Sequence, residues 1–293
     1  MMNEFKHSAR EIQGQVAQSK YYVQGEDIRD IHGILKAAEF AKKHFSKQLE
    51  RAAREHGHHE SGAIEDFRRG RLVSWFRGHA SSKWRLLPGV LRGTHNEKAL
   101  IQQFLRQAPS RKDKCPRDND LAGWISLMQH HGLPTRLLDW TQSILVAAFF
   151  AVGYEENRGD AALWALAPAL LNHAYRHDPS YFLLAGPATE AVLCSAFGVC
   201  NNPMPDEILA VLPPEVDLRL LLQRSAFTLH ASGVALDHSK SPGSYLIKFR
   251  IPANAKTRLA EQLKCLGICS SSLFPDLGHL ADDVANRPPK KAR

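Results

Sequence analysis

Leu127-Met-Gln-His-His-Gly-Leu-Pro-Thr-Arg-Leu-Leu-Asp-Trp-Thr141, continued by Gln142-Ser-Ile-Leu-Val-Ala-Ala-Phe-Phe-Ala-Val-Gly153, is the stretch on which the fold of this chain turns. Two His, one Arg, one Asp and two Thr stand at the entrance to a long apolar run. Such groups are costly to bury without partners, so the segment is either one satisfied hydrogen-bond network or the floor of a site. Residues 119–131 read as a helix that stops at Gly132 and Pro134, with extended chain before the proline. The run after Trp140 reads as an apolar helix, Thr141 its N-cap and Gly153 its C-terminal stop. A polar turn seated on such a helix is held rigidly.

Working outward, residues 27–56 carry Ile28, Ile31, Ile34, Leu35, Ala38 and Phe45 at the spacing of an amphipathic helix. The His-rich tract 56–62 that follows reads as an exposed loop. Leu72-Val-Ser-Trp-Phe-Arg77 reads as a strand ending at Gly78, and 96–108 as a helix. Downstream, strands are predicted at 161–166, 208–212, 227–230 and 245–250, with a helix near 256–266. This order predicts an α+β fold with a mixed sheet flanked by helices. It divides into a helical N-terminal extension (1–68), a main domain (69–286) and a basic tail (287–293).

With 293 residues, 44% hydrophobic and 23% charged, the chain has the material for a sizeable core. A net charge of +8 favours polyanionic partners, RNA, DNA or nucleotide phosphates, with an ordinary solvated surface the competing reading for any one patch. The five cysteines, Cys115, Cys194, Cys200, Cys265 and Cys269, show no paired C-x-x-C spacing and read as reduced thiols. Cys265 and Cys269 would share a helix face, but no further ligands stand at useful spacing, so no metal is expected. No apolar leader and no run of about 20 apolar residues occurs, and a cytoplasmic protein with no membrane contact is expected.

Trp75-Phe-Arg-Gly78, then Trp84-Arg-Leu-Leu-Pro88, then Gly132-Leu-Pro-Thr-Arg-Leu-Leu-Asp-Trp-Thr141 with its Ala-rich helix, resemble the FRG domain family, named for its Phe-Arg-Gly motif. Weaker likeness continues through Arg219-Leu-Leu-Leu-Gln223, Phe227-Thr-Leu-His230 and Ser272-Leu-Phe-Pro-Asp-Leu277, over roughly residues 70–280. Where the family tends to have Gln-Gln-Gly before the Phe, this chain has Gln223-Arg224-Ser225-Ala226, which bears on any role needing close backbone approach at that glycine.

The order of motifs also resembles, more loosely, the three-part layout of ADP-ribosyltransferases, which hold NAD in a split central sheet. That resemblance implies NAD as substrate and places Arg77 on its pyrophosphate or ribose, work suited to a planar guanidinium. Thr141 and Asp139 would brace the nicotinamide ribose, and Trp140 or Phe76 would face the nicotinamide ring. Gly78 and Arg136 complete the implied binding set. Cleavage of the nicotinamide–ribose bond develops oxocarbenium charge, for which Asp139 is the carboxylate at hand. The third motif offers Gln223 where a Glu is usual, and Glu190 stands as a distant fallback.

Structural readings compete at the same residues. Arg136 and Asp139, three apart, would form an ion pair pinning the turn, Trp140 would belong to the core, and His130 and His131 would cap a helix end. No G-x-G-x-x-G, Walker, H-E-x-x-H or G-x-S-x-G pattern occurs. Two classes remain. One is a toxin-like, NAD-consuming ADP-ribosyltransferase acting on a macromolecule, nucleic acid (RNA above DNA) favoured as acceptor, with an antitoxin or inhibitor protein as partner. The other is a non-catalytic or nuclease-like nucleic-acid-binding module.

Overall fold

The computed structural model describes residues 21–56, 73–153, 159–180, 182–201, 203–214 and 218–285. The first half comprises β1 (Val23–Gln24), α1 (Ile31–His56), β2 (Trp75–His79), α2 (Glu97–Gln107), α3 (Leu121–His130), β3 (Leu137–Thr141) and α4 (Ile144–Val152). Then come β4 (Ala161–Leu166), α5 (Pro168–Arg176), β5 (Phe182–Leu183), α6 (Pro187–Phe197), β6 (Ile208–Leu212), α7 (Leu218–Leu222) and β7 (Ser225–His230). The chain continues through β8 (Leu246–Ile251), α8 (Lys256–Cys265), α9 (Ser270–Leu273) and α10 (Leu277–Ala285). One eight-stranded sheet runs β1-β8-β4-β2-β3-β7-β6-β5, parallel at its two edge pairs and antiparallel at every junction between. This is an α+β fold with a mixed sheet, as predicted.

The junction between β2 and β3 is weaker than its neighbours. It holds one registered pair, Phe76 with Thr141, whereas β2–β4 and β3–β7 hold five each. The strands therefore part at the middle of the sheet, next to the segment that dominates the sequence. On one side of the parting, β3, β6 and β7 send alternate residues into two apolar clusters, the two-residue period of a sheet covered on both faces. Leu138, Trp140, Ile208, Ala210 and Ala226 enter one cluster, and Leu137, Leu209, Val211, Phe227 and Leu229 the other.

Several sequence expectations are corrected here. Leu137–Thr141 is a strand rather than a turn: its alternation satisfies the backbone through β7, which a five-residue pattern cannot reveal. Thr141 is consequently the last strand residue, and Ser143 is the N-cap of α4, its hydroxyl accepting from the Val146 amide. Gly78 lies within β2 and does not end it, because β2 packs so closely on α4 that a Cβ there would sit 1.9 Å from the Ala147 carbonyl oxygen. Cys265 ends α8 and Gly267 (φ 79°) turns the chain, so Cys269 lies on no common helix face with it. All five thiols are free.

Residues 21–56 share the main core. β1 pairs with β8, and α1 buries Ile34, Ala37, Ala41, Phe45 and Leu49 in the cluster that contains Trp75 and Phe249. Leu35, expected on that stripe, faces outward at 54% exposure, one residue off the buried row. The His-rich tract, predicted as a loop, lies beyond the described residues except for His56, the last residue of α1. The basic tail lies outside them as well. Among the described residues no helix is long and apolar enough to cross a membrane.

Candidate functional site

Where β2 and β3 part, a cleft of about 450 Å³ opens, bounded by α3, α4 and α7. Strand β2 delivers Arg77 to it. Its side chain is 19% exposed and held at both ends: Nε donates to His79 Nε2 at 2.9 Å, and Nη1 donates to the Asp139 carbonyl at 2.6 Å across the opening. The i, i+2 spacing on one strand puts Arg77 and His79 on the same face. Burial, and then the charges of Arg77 and Lys248, push the His79 pKa down to about 2. A neutral imidazole is what an arginine N–H needs as acceptor, and Nε2 is the acceptor nitrogen.

Asp139 is presented by β3 to the same cleft with its carboxylate 57% exposed. Oδ2 stands 3.6 Å from Arg77 Nη1, and Oδ1 accepts from Gln129 Nε2 at 2.8 Å. The Gln129 side-chain oxygen Oε1 accepts in turn from the Thr135 hydroxyl at 2.5 Å, and that hydroxyl accepts from the Leu137 amide. Thr135, Gln129, Asp139, Arg77 and His79 thus form one chain of contacts running from the helix end, across the cleft, to β2. A chain of this kind fixes the donors and acceptors before any ligand arrives.

The other predicted residues divide. Phe76, Gly78, Trp140, Thr141 and Gln223 line the cleft with Arg77 and Asp139. The Thr141 proton is committed to the Gln223 carbonyl (2.6 Å) and the hydroxyl accepts from the Ser143 amide, which leaves one lone pair for a ligand. Trp140 is 3% exposed and its Nε1 donates to Thr228, so it builds the cleft wall as a core residue. Gln223 is tethered through Nε2 to the Leu273 carbonyl at 3.2 Å. Arg224, which follows Gln223 in that stretch, takes φ 47°, a left-handed conformation that costs a side-chain-bearing residue of the order of 1 kcal/mol.

Arg136 is elsewhere. It is buried against Glu97 of α2 in a two-pronged ion pair and donates to the His230 carbonyl at 2.7 Å. The Arg136–Asp139 pair is therefore replaced by Arg136–Glu97 and Arg77–Asp139, because residues an odd number apart along extended chain send their side chains to opposite faces and Asp139 faces the cleft. Glu190, in the first turn of α6, lines a different cavity beside Asp118 and Cys194.

His79, Gln129, Trp84, Arg92 and Arg219 also line the cleft and are not among the site residues expected from the sequence, although Trp84 and Arg219 stand in its family-like motifs. Trp84, 49% exposed, meets the His79 ring edge-on at 5.9 Å. Arg219 reaches the cleft from α7 with its guanidinium 4.8 Å from the Phe274 ring centre and donates to the His130 carbonyl. His79 was legible from its i+2 relation to Arg77. Arg219 stands in the family-like stretch Arg219–Gln223, whereas Arg92 had no local signal, since only the tertiary fold brings it to the cleft.

Compared with models of known families, residues 73–161 match the FRG domain. This stretch is an FRG domain. Neither curated proteins nor solved structures give a match to the chain. The FRG domain supplies β2, β3 and α4, and with them Arg77, Asp139 and Thr141, and it ends at the first residue of β4. The third wall of the cleft, with Arg219 and Gln223, comes from sequence beyond the matched residues. Three arginines, Arg77, Arg92 and Arg219, and one carboxylate, Asp139, line the cleft among aromatic residues. A cation-rich, aromatic-lined cleft of this size suits a ligand with phosphates and flat rings.

Proposed function

We propose that the cleft binds NAD and that the protein transfers ADP-ribose from it to a macromolecule, a nucleic acid in preference to a protein. The observation that carries this is the parting of β2 and β3 with Arg77 and Asp139 on its two sides, the split-sheet layout associated with ADP-ribosyltransferases. The guanidiniums of Arg77, Arg92 and Arg219 take the pyrophosphate. Trp84 and Phe76 offer aromatic surface to the rings.

In the reaction the bond between C1′ of the ribose and N1 of nicotinamide breaks, and its electron pair neutralises the pyridinium. The acceptor oxygen or nitrogen attacks C1′, a new bond forms there, and the acceptor proton leaves to a base or to water. Asp139 stands where a carboxylate stabilises the positive charge that develops on the ribose. Its hydrogen bond from Gln129 and its contact with Arg77 hold it in orientation. Gln223 supplies a polar side chain at the usual Glu position, so the negative charge of the site rests on Asp139. Restraint by an inhibitor protein, as for a toxin-like effector, follows from such an activity.

The test is incubation of the full chain with labelled NAD and RNA, DNA or cell lysate. Transfer of label, abolished by Asp139→Asn and by Arg77→Ala, is the expected result. Failure both to transfer and to bind NAD sinks the proposal and leaves a phosphate-binding module.

A further inference from the structure

A second cavity, of about 390 Å³, lies between α2 and the end of α3. Leu100, Phe104, Leu127 and Leu133 are its half-buried apolar floor, and the side-chain amides of Gln103 and Gln107 stand exposed at its wall. Arg111 and Lys112 are exposed at its rim. The stretch that carries them, residues 106–117, holds Arg106, Arg111, Lys112, Lys114 and Arg117 against Asp113 alone until Asp118, and all six of these charged groups are exposed.

The cavity and the cleft meet at one turn. His130 and Gly132 line the cleft, while His131 and Leu133 line the cavity, and the two imidazoles stand edge-on at 4.8 Å. The turn 130–133 is therefore a wall common to the cavity and to the cleft that holds Asp139.

We infer that the cavity takes one unpaired base of a single-stranded nucleic acid, with the strand's phosphates on Arg111 and Lys112 and the adjoining nucleotide presented to the cleft. A flat heterocycle matches an apolar floor, its polar edge matches two amides, and the flanking phosphates match the basic rim. Bases inside a duplex are stacked and cannot enter a concave slot. An acidic peptide would satisfy the rim and leave the amides and floor unused. The base site rests on the proposed transfer reaction only in naming the bound strand the acceptor; the binding itself stands on the cavity and its charge.

The measurement is anisotropy of a short labelled single-stranded RNA, and the DNA of the same sequence, titrated with the full chain in the absence of NAD. Replacing both Arg111 and Lys112 with Ala is expected to weaken binding about tenfold and to lower the slope of log K against log salt by about 1.4, the signature of two lost phosphate contacts on a single strand. Gln107→Trp, which fills the cavity from an exposed position, is expected to weaken binding about tenfold with the salt slope unchanged. A duplex that binds as tightly as the single strand overturns the inference. So does parent-like binding by both variants, or label transferred from NAD to protein with no oligonucleotide bound. Oligonucleotide binding with these sensitivities but no ADP-ribose transfer would sink the transferase proposal and leave the base site standing.

Discussion

Arg77 Nε donates to Nε2 of His79, two residues further along the same strand, at 2.9 Å, and this bond aims the guanidinium at Asp139 across the opening in the sheet. The acceptor is a buried imidazole that remains neutral down to about pH 2, so the pairing persists throughout the physiological range. His79→Ala removes the acceptor without touching the cleft charge. It is expected to weaken binding of a phosphate ligand such as ADP-ribose roughly tenfold, the value of one charge-assisted hydrogen bond of about 1.5 kcal/mol. Isothermal titration checks this, and affinity equal to the parent's would show that Arg77 needs no such support.

Acid should destabilise the fold through two histidines. His79 is held at about 2 and His230 at about 3, in both cases chiefly by burial, while an unfolded histidine titrates near 6.5. Between those values the unfolded chain binds protons that the folded one does not. These groups leave stability unaffected above pH 6.5, and stability falls as pH drops below it, by up to about 1.4 kcal/mol per pH unit for each histidine. Urea unfolding at pH 7, 6 and 5 reads the slope, and His230→Gln is expected to lessen it.

Glu97→Ala strips the buried partner from Arg136, at 15% and 6% side-chain exposure respectively. Leaving a buried guanidinium unpaired is expected to destabilise the protein by about 3 kcal/mol while ligand affinity of the folded fraction holds. Denaturant melts paired with titration separate the two effects, and a large affinity loss would return Arg136 to the cleft.

Gly78→Ala places a methyl 1.9 Å from the Ala147 carbonyl oxygen and 2.5 Å from the Ala151 nitrogen, both backbone atoms of α4. Neither rotates away, so the strand and helix must separate, at an expected cost of more than about 2 kcal/mol. Thermal unfolding tests it; a stability change under about 0.5 kcal/mol, the range of ordinary surface substitutions, would contradict the close approach.

Phe45→Ala tests how firmly the N-terminal helix belongs to the main fold. Phe45 is fully buried with Trp75 and Phe249 across from the sheet. The expected loss is about 3–5 kcal/mol in one cooperative transition. Two separate unfolding transitions, the first alone sensitive to the substitution, would show that α1 is an independent unit.

Elements whose signal is local were legible in the residues alone. Ala161–Leu166 and Ile208–Leu212 are apolar runs of strand length, and their bounds agree with the sequence reading. Trp75-Phe-Arg-Gly78 and Gly132–Thr141 were legible as motifs, and both lie within the FRG match. Leu137–Thr141 was misread because five residues beside a proline fit a turn as well as a strand until β7 is there to pair with them. That Arg136 joins Glu97 and Arg77 joins Asp139, pairs separated by 39 and 62 residues, came from the folded chain and not from any local pattern. Side-chain partners that distant are chosen by which faces the strands turn to one another. The cleft exists for the same reason: β2 and β3 meet at a single pair, and no pattern within either strand records how far two strands stay together.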